Sequence, residues 1–382
     1  MVLHGVRSSA LFTLVWIIIV TLGVVDILQT PTTNTRQIYL PVVSRGEPIA
    51  STLPAPSGSS VWVSPEEIAA LPTSGPAWEQ LKTTADEDAG VPDLSDQDTN
   101  ANVNVLAKAL VYARTGEPQY RDDVVAALEV ITFNNTEEGG RTLALGRELA
   151  AYVIAADLIN LTNYDPNLDA QFQEKLSELL TKPLEGWGSE HKTLQETHEL
   201  RPNNWGTHAG ASRAAVAVYL GDAAELELTA RVFHGYLGDL SAYNEFEYGE
   251  DLSWQADSEL PVGINPAGAV KEGHSIDGAM PEEMRRGGEF HWPPLETGYP
   301  WEGLQGALLQ ADILHRAGYP AWEWEDKALL RAVQFLYDIN WEPEGDDEWI
   351  PWLINKMYNT SFTTDAQAQP GKNIGWTSWV YP

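Results

Sequence analysis

Cysteine is absent from the 382 residues, which excludes a disulfide framework; a chain of this length can bury a sufficient core without one. Basic residues are scarce: 23 Lys and Arg stand against 55 Asp and Glu, a formal net charge of −32. That balance excludes binding along a nucleic-acid backbone, which needs a basic footprint to displace counterions. It also repels a polyanion at long range, so an acidic glycan would have to be met by a local basic patch, with salt screening the rest over roughly 8–10 Å. Arg201, Arg213, Lys271, Arg285 and Arg286 are the candidates for that patch. Metal-ligand spacing is missing as well. His191 and His198 have no third ligand at useful spacing, and Asp346-Asp347 lacks a calcium-loop signature, so neither a metal nor a cofactor is expected. Sequons at Asn134, Asn160 and Asn359 are short enough to arise by chance.

One uncharged, mostly apolar run, Ala10 to Val25, follows Arg7 and ends at Asp26. Its length falls between a signal-peptide core and the roughly 20 residues of a membrane span, and no small-x-small cleavage site follows. Residues 1–28 are therefore expected to be a signal peptide or an uncleaved signal anchor. The protein would then be secreted or held at the cell surface, with membrane anchorage left open. Residues 29–75 are rich in Pro, Ser and Thr and read as a disordered linker, interrupted by the apolar patch Ile38 to Val43. Residues 76–382 are left for the folded domain.

Within that domain the apolar spacing is helical. Val103, Leu106, Ala107, Leu110 and Val111 follow the i, i+3, i+4, i+7, i+8 pattern, Thr115-Gly116-Glu117-Pro118 forms a turn, and Val124 to Ile131 returns. The same spacing recurs at Ala151, Ile154, Ala155, Leu158 and Ile159. Further hairpins run from Ala211 through Gly221-Asp222 to Leu237, and from Leu304 through Gly318 to Tyr337. Helical hairpins around a common axis predict an all-α, incomplete (α/α) toroid whose inter-helix loops carry the chemistry. Tyr243 to Gly273 is irregular and reads as a long ordered loop over the cleft.

Two polar clusters precede two of these hairpins. The first, Arg201-Pro202-Asn203-Asn204-Trp205-Gly206-Thr207-His208, combines a cation, carboxamides, an indole and an imidazole; the second runs from Asp277 through Arg286 to Trp292, followed by Tyr299-Pro300-Trp301. The 15 Trp of the chain suit either stacking on sugar rings or a large helical core. Uronic-acid polymers are cut by β-elimination, in which the C5 proton is removed and the O4 link leaves. The proton lies beside a carboxylate and is very weakly acidic, so a catalyst must neutralise that carboxylate and supply a base and an acid.

The motifs resemble the alginate lyase superfamily, the α/α-toroid polysaccharide lyases that include mannuronate-type alginate lyases and related glucuronan lyases. Asn203-Asn204-Trp205-Gly206-Thr207-His208 looks like the family's Asn-Asn-His motif. Asp277-Gly278-Ala279-Met280-Pro281-Glu282-Glu283-Met284-Arg285-Arg286-Gly287 looks like its Asp-Gly-x-x-Pro-x-Glu-x-x-Arg-Gly segment, and Tyr299 falls where the catalytic tyrosine would. The resemblance implies a carbon-oxygen lyase in which Asn204 and Arg286 neutralise the substrate carboxylate. Tyr299 would protonate the leaving oxygen, and the base would be His208 or Tyr299. Arg201, Asn203, Trp205, Arg147, Tyr152, His291, Trp292 and Trp301 are the expected substrate-binding residues. Two departures stand out: Trp205 occupies the position that directly follows the Asn pair, and His291-Trp292-Pro293-Pro294 lengthens the step from Arg286 to Tyr299. They leave glucuronan at least as plausible a substrate as polymannuronate.

Bland readings exist for each residue: Asn203 and Asn204 as helix caps, His208 as a core imidazole, and the arginine pair as partners of Glu282 and Glu283. Two other functions also fit. A glycoside hydrolase on the same fold would use two of Asp277, Glu289, Glu302 and Asp346, and a non-catalytic glycan-binding protein would keep the aromatic cleft alone.

Overall fold

The computed structural model describes residues 60–188 and 191–382, so the export segment and most of the expected linker lie outside the described residues. The described chain is all-α apart from one two-stranded hairpin. In order, its helices are α1 (Pro65–Ala70), α2 (Pro76–Asp86), α3 (Ala101–Thr115), α4 (Pro118–Phe133), α5 (Thr142–Leu158), α6 (Leu161–Tyr164), α7 (Pro166–Thr181), α8 (Leu194–Leu200), α9 (Asn204–Leu220) and α10 (Ala223–Leu237). Strands β1 (Val270–Lys271) and β2 (His274–Ser275) follow, then α11 (Pro281–Met284), α12 (Tyr299–Arg316), α13 (Trp324–Asp338), α14 (Ile350–Tyr358) and α15 (Thr377–Val380).

The hairpin turns form where the sequence placed them. Gly116 closes α3 in the left-handed region at φ 74°, which costs a residue without Cβ nothing, and Pro118 opens α4 at a position that needs no amide donor. Asp222 caps α10 by accepting from the amides of Ala224 and Glu225. Nearly every residue of α5 and α9 is buried, the mark of helices surrounded on all sides, whereas α7, α10 and α13 bury one face. Helices α3, α5, α9 and α12 pack in succession as the inner layer, with α4, α7, α10 and α13 returning outside them.

The arc is incomplete, and the gap between α12 and α3 is filled by the C-terminal residues and by the segment that precedes α1. The Asn102 side chain donates to the Lys372 carbonyl (2.8 Å), Gln305 accepts from the Lys372 amide (2.7 Å), and the Trp376 indole donates to the Val103 carbonyl (3.2 Å). From the segment before α1, Val61, Trp62 and Val63 are buried, and the Trp62 indole donates to Asp312 of α12 at 2.9 Å. Residues 60–75 thus depart from the expected linker. The Pro/Ser/Thr bias of 29–75 masks three apolar residues whose segment docks on both α5, through the Val61 amide to Asp157 (2.8 Å), and α12. Replacing Trp62 by Ala removes a fully buried indole and leaves Asp312 with one donor fewer. It is expected to destabilise the protein by about 3–5 kcal/mol in urea unfolding.

The stretch from Tyr243 to Gly273 is irregular, as expected, and braced. The Tyr243 hydroxyl donates to the Glu199 carbonyl (2.9 Å), the Glu247 amide to Leu200, and the buried Trp254 indole to Gly288 (3.1 Å). The last of these contacts ties it to the segment that carries Arg286.

Candidate active site

Helix α9 sets the depth of the site. Asn203 is its cap, with Oδ1 accepting from the Trp205 amide at 3.0 Å, so the capping role falls to Asn203. Asn204 begins the helix and donates its backbone N–H to Glu283. Glycines on the flanking helices let α9 approach closely. A Cβ on Gly306 of α12 would lie 2.4 Å from the His208 amide, and one on Gly146 of α5 would lie 2.8 Å from the Ala209 amide. His208 sits at this pinch and is fully buried.

Above it, the N-terminal turn of α12 exposes Tyr299, and the 3-10 turn Arg285–Gly287 brings Arg286 over it, the guanidinium carbon 4.5 Å from the ring centroid. Arg286 is exposed and makes no hydrogen bond or ion pair among the described residues, a rarity in so acidic a chain. One turn into α12, Glu302 pairs with the buried Arg147 of α5 and lies 3.8 Å from His208 Nε2. Burial alone would raise the Glu302 carboxyl, but His208 and the Arg147 guanidinium more than offset it and bring it down to about 2. Burial lowers the His208 pKa, with Glu302 opposing, which favours neutral imidazole. Asn204 Oδ1 and both imidazole nitrogens are buried without a hydrogen-bond partner among the described residues.

Glu302 holds Arg147 in place, so Glu302→Gln leaves a buried guanidinium poorly compensated. Because Glu302 is partly exposed, the expected loss is at the lower end of the roughly 3–5 kcal/mol seen when one member of a buried pair is removed. The lowered carboxyl gives the pair a pH signature. Its contribution is complete above the ordinary value of 4.5 and drains away as pH falls toward about 2, so wild type and Glu302→Gln should converge in acid unfolding.

Other expected residues are placed elsewhere. Tyr152 and Trp301 are buried in the core, Trp301 edge-on to Tyr337, and neither offers a face to a sugar. Arg147 is committed to Glu302. His291 and Trp292 are exposed, and Trp292 stacks at 4.5 Å on His274 of the β-hairpin. Trp205 is nearly buried beneath Arg201 (4.4 Å), with Arg141 5.8 Å from its ring and 5.5 Å from the exposed Trp187. Sequence reasoning passed over Arg141 and Trp187 because no motif contains them. The proposed basic patch is largely neutralised. Arg213 is buried between Glu199 (2.9 Å) and Glu225 (2.6 Å), Arg285 pairs with Glu282 (2.7 Å), and Lys271 donates to the Gln255 carbonyl. Asp277, a hydrolase candidate, is held by Arg331 at 2.7 Å. His198 is a buried structural residue between Arg213 and Gln310.

Fold and site together define an α/α-toroid protein with Asn204 and His208 at the start of α9, Tyr299 at the start of α12 and Arg286 over Tyr299 from the preceding 3-10 turn. Residues 75–240 match the model of the alginate lyase family, a stretch that includes Asn203 to His208 and ends before Asp277 and Tyr299. This match supports the alginate lyase superfamily, which the motifs resemble. Among solved structures, the chain is similar to an alginate lyase from Bacteroides ovatus, with 16% identity and a TM-score of 0.47 over 75% of this chain and 84% of that one. No curated protein matches the chain.

Proposed function

We propose that the protein is a polysaccharide lyase that cleaves a uronic-acid-containing polysaccharide, of alginate or glucuronan type, by β-elimination. The observation that carries this reading is Arg286, a cation without a carboxylate partner among the described residues, stacked on the exposed Tyr299. A substrate carboxylate meeting Arg286 would have its charge neutralised, and the Asn204 carboxamide is the second candidate for that role. Tyr299, at the surface beside Arg286, would take the C5 proton as its phenolate and, as the phenol so formed, give that proton to O4 while the C4–C5 double bond forms and the C4–O4 bond breaks. Full burial of His208 favours Tyr299 in both roles, with the imidazole supporting the floor of the site from beneath.

One observation favours a hydrolase: Glu302 and Glu283 are driven to opposite ends of the carboxyl range, the pattern of a base and an acid. Glu283, however, has no exposed atom with which to reach a glycosidic oxygen, and Glu302 is engaged by Arg147. We further propose action outside the cytoplasm, on the strength of the apolar segment in residues 1–28. No helix among the described residues is long and apolar enough to cross a membrane.

The test is ultraviolet absorbance of the protein incubated separately with polymannuronate, polyguluronate, glucuronan and hyaluronan. Growth of the unsaturated-uronate band on one polymer supports elimination and names the substrate. New reducing ends without that band, on neutral glycans, would replace the lyase with the hydrolase.

A further inference from the structure

Glu283 is a buried carboxyl between the two helices that carry the site, bonded to the Asn204 N–H and influenced by the Arg286 charge, and no step above uses it. It projects from α11, one turn before Arg286, into the junction between α9 and α12 and is fully buried. One oxygen accepts the backbone N–H of Asn204, the first residue of α9. The same oxygen lies against Gly303 of α12, where a Cβ would stand 3.0 Å away, so the glycine leaves room for the carboxyl. Its other oxygen is buried without a partner among the described residues. The charged and titratable groups that face it are Arg286 and Glu282 on its own segment, Glu302 on α12 and Tyr236 on α10.

We propose that Glu283 is the positioning residue of the site, a wedge between α9 and α12 that fixes Asn204 against Arg286 and Tyr299. This rests on the lyase reading for its catalytic consequence. The wedge works as a neutral acid. Burial, with Glu282 and Glu302 adding to it, raises the carboxyl to about 8 against the opposing pull of Arg286 and the Asn204 amide. While protonated, Glu283 leaves the Arg286 charge to an incoming carboxylate. Once ionised, it becomes a buried anion beside Arg286 and competes for that cation, withdrawing it from Tyr299 and from substrate.

The experiment compares wild type, Glu283→Gln and Glu283→Ala. Glutamine keeps the shape and the acceptor for Asn204 N–H but cannot ionise. Wild-type kcat/KM is expected to fall as pH rises through about 8, while Glu283→Gln stays within a few-fold of wild type at pH 7 and loses that alkaline limb. Glu283→Ala, which removes the acceptor, is expected to lose at least tenfold more than Glu283→Gln. An unchanged alkaline limb in Glu283→Gln would overturn the proposal, as would a Gln variant as damaged as the Ala variant.

Thermal unfolding between pH 4.5 and 9 separates this outcome from failure of the lyase reading. The folded protein keeps a proton that the unfolded chain has released above 4.5, so wild type should lose stability relative to Glu283→Gln as pH rises to about 8, with the difference flat beyond. If no uronan is cleaved, the lyase reading fails. A widening stability gap would then still support the buried neutral wedge, and parallel curves would refute it.

Discussion

Tyr299→Phe is expected to lower kcat on the cleaved uronan by roughly 10²–10⁴-fold while leaving KM within a few-fold, the loss that follows removal of one proton-transfer group. The substitution is a clean one. The ring that Arg286 covers at 4.5 Å remains, and Tyr299 is 40% exposed, so no buried hydrogen bond is lost and folding should be unaffected. Only the hydroxyl is removed. If the same atom serves as base and acid, both half-steps fail together and no partial reaction survives. Turnover within tenfold of wild type would remove Tyr299 from the mechanism. His208 would then be the base, and it would have to become accessible by movement of Glu302.

Arg286→Ala has the second-largest expected effect, about 10²–10³-fold in kcat/KM, shared between weaker binding and slower elimination. The carboxylate must be neutralised before the C5 proton becomes acidic, and the charge must already be in place when the substrate arrives. Arg286 makes no ion pair among the described residues, so its removal should change stability by less than about 0.5 kcal/mol. That separation between activity and stability is the check: a comparable loss of both would mean that the arginine holds the 3-10 turn instead. Arg286→Lys keeps the charge but loses the planar stack on Tyr299, and should recover only part of the activity. The neighbouring Arg285→Ala is expected to do the reverse, since Arg285 is tied to Glu282 at 2.7 Å and packs on Gly249.

Much of the architecture was legible in the sequence because it depends on local chemistry. Apolar periodicity at Val103 to Val111 and Ala151 to Ile159 specified helices, and Gly116-Glu117-Pro118 and Gly221-Asp222 specified the turns, each through backbone preferences that act over a few residues. The Asn203 helix cap was legible for the same reason, whereas the choice of Arg286 over Arg285 rested only on its place in the second motif. Burial was not legible. Trp301 and Tyr152 carry the same side chains whether they line a cleft or fill a core, and only the packing of α12 against α13, and of α5 against α3 and α9, consigns them to the core.

The tertiary structure also decided the electrostatics, because charge pairing depends on contacts between residues far apart in the chain. Arg147 and Glu302 stand 155 residues apart, yet their pairing engages an expected substrate-binding cation and, together with His208, depresses a hydrolase-candidate carboxyl. Glu283 holds the Glu position of the second motif, but the motif assigns it no protonation state; that is set only when α9 and α12 close around it and burial raises its carboxyl to about 8. By itself, then, the sequence determined the helical hairpins, their turns and the residue types available for chemistry, since propensity and periodicity act locally. Which of those residues are buried, paired or left free at the surface was decided by helix packing alone, since desolvation and Coulomb interactions depend on distances that the chain order does not contain.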